Sequence, residues 1–205
     1  MAAPITHTVL AAKIFDKFFK DKTKKDFFIG TLFPDIRYLK VIERNRTHFS
    51  NLKIVDPREE DSFLAGVKFH SILDIAREKF IVANDAYSFC PKSGYIGTSL
   101  KILEDEIFYQ HINDWNMYID YLNDILQNEE NFGIAKNDIQ RWHKILQKYF
   151  ERQPDKESVR DFALSIGFSE EATSEINENV STMRDDKKII NILERLYKNF
   201  DALVT

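Results

Sequence analysis

Apolar positions along this chain recur every three to four residues in run after run and seldom every two, which predicts helices almost throughout. In THTVLAAKIFDKFF, Thr6 is placed to cap a first helix whose inward side carries His7, Leu10, Ala11, Ile14 and Phe18. A lysine-rich break over Lys20 to Lys25 precedes DFFIGTLFPDIRYL, where Gly30 and Pro34 interrupt an apolar run and put Asp35 at a helix boundary. The polar stretch from Glu43 to Asp61, with its Asp56-Pro57 turn signal, reads as irregular and contains His48. A long helix is predicted from about Arg58 to Phe80, its inward face traced by Phe63, Gly66, Val67, His70 and Leu73.

Beyond it, the segment from Phe89 to Gly97, with Pro91 and Gly94, predicts a loop at the mouth of any site built on the first helices. Helices follow over about Thr98 to Asn113, Asp114 to Asn128 and Ala135 to Glu151, Gly133 separating the last two. From Pro154 the chain becomes more charged, and SVRDFALSIGF and KKIINILERLYKNF read as amphipathic helices joined by a weakly helical stretch. The expected architecture is an all-α multi-helix bundle, with a helical metal-site domain over residues 1–153 and a C-terminal helical extension, 154–205, packed on it. The stripe of Ile189, Ile192, Leu193, Leu196 and Phe200 is of the kind that more often packs on its own bundle, and it also allows docking of a protein partner or a homodimer.

Composition narrows the class. Only six Gly and five Pro in 205 residues leave few breakers, which strengthens the helical reading. The net charge of -4 and pI near 5.8 lack the basic excess of a dedicated nucleic-acid binder. Cys90, the single cysteine, excludes an intramolecular disulfide framework and fits a reducing compartment. The N-terminus has no basic region ahead of an apolar run, and no stretch approaches the roughly 18 apolar residues of a membrane span. The expectation is a cytoplasmic protein without a transmembrane segment.

Chemistry concentrates in the first 74 residues. His70 and Asp74 are four apart on the inward face of the long helix, about 5 to 6 Å between Cβ atoms, so both side chains can reach one ion. Ionisable groups on an apolar face need partners or a metal. His7 joins them from the first helix, and Asp35 and His48 precede them from a turn and a loop. Downstream, Glu104 and His111 share a face with Leu100 and Ile107, while His143 sits beside Trp142 and reads as a packing residue.

The ordered series T-H7-x-x-x-A, F28-I-G-T-L-F-P-D35-I, T47-H48 and G66-x-x-x-H70-x-x-x-D74 resembles the zinc-dependent phospholipase C family, a helical fold shared with fungal single-strand nucleases. The likeness covers about residues 5–80. It implies zinc or another divalent transition metal, one or two ions, with His48, His70 and Asp74 ligating one, Asp74 bridging to a second held by His7, and Asp35 acting as ligand or catalytic base. It implies a phosphoester substrate, of which a phospholipid is one class. Phe28, Phe33, Tyr38 and Phe69 lie near the proposed ligands and can line an apolar entrance, although large apolar side chains more often pack in the core. The chain departs from the family in having no His between Asp74 and His111, and in carrying Met1 six residues ahead of His7 where members cleaved at a signal use a free terminal amine. Acyl-carrier-protein phosphodiesterases, similar to HD-type hydrolases, share part of the pattern. The non-enzymatic alternative is a helical binding protein with a degenerate metal site.

Overall fold

Pro4 opens helix α1 (Pro4–Phe18) in a computed structural model that describes residues 3–205; at the first helical position its missing N–H has no partner to lose. Met1, with its terminal amine, lies outside the described residues. Thr6 is not a cap: it lies within the first turn of α1, and its N–H donates to Asp105 Oδ1 at 2.7 Å. A carboxylate from a distant helix thus satisfies an N–H that every helix start leaves open. On the inward face, Phe15 and Phe19 are buried where Phe18 was expected, and Phe18 is half-buried.

Gly30 does not break the next helix, α2 (Lys24–Leu32), which runs through it and ends in a 3-10 turn over Phe33–Leu39. Pro34 sits in the first turn of that 3-10 segment, and Asp35 follows it at the boundary the sequence indicated. The stretch to Asp61 is irregular apart from short 3-10 turns at Arg44–Arg46 and Asp56–Glu59. Helix α3 (Ser62–Ala83) starts later than expected because Asp61 accepts from Leu64 N–H as its N-cap. Helices α2 and α3 are the most intimately packed pair of the chain.

The remaining helices are α4 (Ile96–Phe108), α5 (Asn116–Tyr121), α6 (Gln127–Glu130), α7 (Lys136–Phe150), α8 (Lys156–Ser165), α9 (Glu170–Met183) and α10 (Lys187–Leu203). The segment expected as one helix to Asn128 is two short ones, since Glu129 turns back to accept from Leu126 N–H and starts α6 afresh. Ser169 caps α9 by accepting from Ala172 N–H, and Ala172, Thr173, Ile176, Asn179, Val180 and Met183 form its buried face. The loop near Cys90 to Tyr95 leans on this C-terminal part, through Ser93 to Glu175 and Tyr95 against Phe168.

Helix α1 lies against α2, α4 and α10, while α4 meets α9 and α10 meets α3. One apolar cluster runs from Ile5 to Val204, so the last three helices share the core of the first seven. Among the described residues the fold is all-helical, and no helix is long and apolar enough to cross a membrane. Two polar contacts tie α4 into this core: Glu104 is buried in an ion pair with the equally buried Arg77 of α3, and Asp105 accepts from the Thr6 N–H at the start of α1.

Candidate metal centre

Five side chains from four separate parts of the chain meet beside the α1–α3 contact. His7 projects from α1, Asp35 from the 3-10 turn after α2, His48 from the irregular segment, and His70 with Asp74 from α3. The His48 loop is anchored to α3 by Phe49 N–H, which donates to the hydroxyl of Ser71 at 3.0 Å. The five candidate ligands that the sequence singled out in the first 74 positions are therefore at one place.

Two sets of three have ligand atoms that all lie within 4.8 Å of one another: His7, His70 and Asp74, and Asp35, His48 and His70. His70 belongs to both. The expected grouping of His48, His70 and Asp74 around one ion is thus drawn differently: Asp74 goes with His7 and His70, and His48 goes with Asp35 and His70.

The histidine tautomers follow from their neighbours. His7 Nδ1 faces the carbonyl of Ala3 at 2.8 Å and His70 Nδ1 faces the carbonyl of Thr31 at 2.9 Å; a carbonyl only accepts, so each Nδ1 carries the proton and donates. Each Nε2 then has a lone pair directed into the site. The Nε2 atoms of His7, His48 and His70 are all buried and have no hydrogen-bond partner. Three such orphans in one place are costly unless a cation takes them up.

Distances fit that use. His7 Nε2 stands 3.5 Å from Asp74 Oδ1 and His70 Nε2 stands 3.7 Å from Asp74 Oδ2, beyond good hydrogen-bond length. Ligands about 2.0 to 2.1 Å from a tetrahedral ion lie roughly 3.4 Å apart. The rings of His7 and His70 stack with centroids 4.3 Å apart, and His48 meets His70 edge-on at 4.9 Å. Backbone carbonyls that hold the far nitrogen of a ligating imidazole are the usual outer support of metal sites.

Charge states suit a cation as well. Burial, with the nearby His7, pushes His70 down to about 3, and burial takes His48 to about 4 against the pull of Asp35, so both are neutral ligands at pH 7. Burial also opposes the charged form of His7, but the neighbouring Asp74 outweighs it and leaves its pKa raised. Burial disfavours ionised Asp35 and Asp74, yet His70 and His7 draw Asp35 below the usual carboxylate range, and Lys101 with His7 holds Asp74 well below it. The centre therefore presents two carboxylates and, in His48 and His70, two neutral imidazoles.

Its rim is cationic. Lys101 Nζ on α4 lies 3.3 Å from Asp74 Oδ1, and Arg37 lies 3.6 Å from Asp35 Oδ1 while donating to the Tyr38 hydroxyl at 2.9 Å. Sequence pattern had not marked Lys101; it sits one turn before Glu104 on a face that only the docking of α4 turns toward the site. Glu104 itself is consumed by Arg77, and His111 stacks on Tyr197 at 3.7 Å, so neither reaches the centre. His143 is paired with buried Glu129 at 2.8 Å, as a packing residue would be. Of the four aromatic residues near the proposed ligands, Phe28, Phe33 and Phe69 are core, as large apolar side chains usually are, and Tyr38 is half-buried beside Arg37 at the rim.

Asp105 supports the centre from behind by fixing Thr6, the residue before His7. Burial raises its pKa to about 7 despite the N–H it accepts. The folded state thus favours the protonated acid: the stability this contributes is complete below pH 3.8 and is lost as pH rises through 7. Asp105→Asn keeps an acceptor for Thr6 without the titration, at about 1.4 kcal/mol per unit of pKa shift. The variant is expected to melt several degrees above the parent at pH 8, with the gap closing toward pH 4; thermal melts at both pH values check this, and a gap that does not vary with pH would refute it.

No family model, curated protein or solved structure matches the chain.

Proposed function

We propose that the chain is a metal-dependent hydrolase of phosphoric esters, of the type seen in the zinc-dependent phospholipase C family that its motif order resembles. The observation that carries this reading is the convergence of three buried, unpartnered Nε2 atoms with two ionised carboxylates. His70, His7 and Asp74 would hold the ion, with His48 and Asp35 beside it. Zinc suits such a mixed nitrogen and oxygen set. A bound divalent ion of this kind supplies Lewis acidity to a phosphoryl oxygen and lowers the pKa of water toward 7.

The chain's own residues do the rest. Asp35 is ionised and 6% exposed, so it can orient a water molecule at the site and accept its proton. Lys101 and Arg37 place positive charge where the phosphoryl oxygens become more negative during displacement, the condition for electrostatic stabilisation of that transition state. Tyr38, beside Arg37, offers a hydroxyl at the rim.

The test is elemental mass spectrometry on the parent purified without chelators, followed by assays on bis(p-nitrophenyl) phosphate and p-nitrophenylphosphorylcholine after loading with zinc, manganese or iron. Bound metal and turnover that Asp35→Asn lowers by about 10²- to 10⁴-fold, with the metal retained, is the expected result. Metal without turnover on any phosphoester leaves a structural metal site in a binding protein. A parent that takes up no metal after reconstitution overturns the metal reading altogether.

A further inference from the structure

Resting on that reading, we infer that the centre takes one ion, and that the ammonium of Lys101 stands where a second cation would otherwise sit. Two independent features lead there. The first is the shared ligand. His70 Nδ1 is committed to the Thr31 carbonyl, so His70 has a single free lone pair and serves one ion only. Both three-ligand sets need it. Once His70 is engaged, the other set keeps two protein ligands, too few for a second site of its own.

The second feature is the occupied carboxylate. Asp74 is the residue that would bridge two ions, and its Oδ1, the oxygen turned toward His7, already has Lys101 Nζ at 3.3 Å. Helix α4 cannot provide a compensating ligand. Its two carboxylates nearest the centre are spoken for, Glu104 by Arg77 and Asp105 by Thr6, and these same contacts fix the register that brings Lys101 inward. The Lys101 side chain is only 22% exposed.

The pairing of charges points the same way. Lys101 beside Asp74 and Arg37 beside Asp35 already offset the two carboxylates before any ion binds. One divalent ion leaves two positive charges, matching a phosphate dianion or the growing charge on a diester. A second would double that excess in a buried site, where unpaired charge is most costly. Lys101 accordingly stands beside Asp74 as the cation that a second metal ion would otherwise supply.

Manganese alone is the probe. The full-length chain is loaded with excess Mn²⁺, desalted, and measured by elemental mass spectrometry and electron paramagnetic resonance. The parent should hold one Mn²⁺ per chain with the six-line spectrum of an isolated ion. Lys101→Glu, which replaces the cation by a ligand, should hold two with an exchange-coupled spectrum. Lys101→Met, of similar length and uncharged, should stay at one ion bound at least tenfold more tightly, because a like charge beside Asp74 is gone. Two coupled ions in the parent would overturn the inference while leaving the metal reading intact. So would a Lys101→Glu chain that melts like the parent yet stays at one ion. Unchanged affinity in Lys101→Met counts against it equally, and decides the matter where Lys101→Glu does not fold. No manganese in the parent removes both the inference and the reading beneath it.

Discussion

Gly66→Ala is expected to destabilise the protein by about 3 kcal/mol or more, although a glycine-to-alanine change inside a helix ordinarily stabilises by roughly 1 kcal/mol. A Cβ at this position would lie 2.1 Å from the carbonyl oxygen of Phe27, 2.7 Å from the nitrogen of Thr31 and 2.9 Å from the carbonyl carbon of Gly30. All three are backbone atoms of α2, so no side-chain rotation can make room. The contact is reciprocal: a Cβ on Gly30 would meet the carbonyl oxygen of Phe63 on α3 at 2.0 Å. The two glycines let α2 and α3 approach backbone to backbone, and alanine at either would push the helices apart by about 1 Å to restore an ordinary C···O contact. That shift acts on the site directly, because the 2.9 Å bond from His70 Nδ1 to Thr31 spans this same interface. Loss of such outer support commonly costs 10- to 100-fold in metal affinity. Chemical denaturation and manganese titration of Gly66→Ala measure the two effects together. A variant as stable as the parent would mean that the helices do not interlock in this way.

This interlock also explains which parts of the molecule were legible in the sequence. Gly66 stood out as a small residue on an apolar face, but periodicity alone cannot tell a gap from a backbone contact, and Gly30 read as a break for the same reason. Clusters built on local spacing came through well: His70 and Asp74 are one turn apart, and Pro34 announces the turn that carries Asp35. Helix α9 was read as weak because EEATSEINENVSTM is mostly polar, and its buried face uses Thr173 and Asn179 among apolar residues. It packs on the preceding helix α8 and on α4, which lies far earlier in the chain. The same limit hid the long-range polar contacts. Asp105 capping α1 across 99 residues, Arg77 against Glu104, and Lys101 beside Asp74 depend on how α4 docks, and no short window of sequence contains that information.

His70→Ala should abolish ion binding and lower the proposed phosphoesterase turnover at least about 10³-fold, more than any other single ligand change, because His70 alone belongs to both ligand sets. His7→Ala leaves Asp35, His48 and His70 together, and His48→Ala leaves His7, His70 and Asp74; each is expected to weaken binding without eliminating it. The loss in His70→Ala is not a consequence of unfolding. Burial holds the imidazole neutral near pH 7, so truncation removes no charge from the core, and the structural cost is limited to the space vacated and a Thr31 carbonyl left without its donor, about 1 to 3 kcal/mol. A metal-free parent and metal-free His70→Ala should therefore melt within several degrees of each other, whereas the loaded parent should melt well above both, since an ion that binds only the folded chain stabilises it by mass action. Melting curves with and without metal, set beside elemental analysis of the three alanine variants, separate these terms. Stoichiometric metal in His70→Ala would show that the ion sits elsewhere and that the pinned imidazole of His70 is a core residue, while a graded loss across His7, His48 and His70, complete only in the last, is the signature of a centre with one shared vertex.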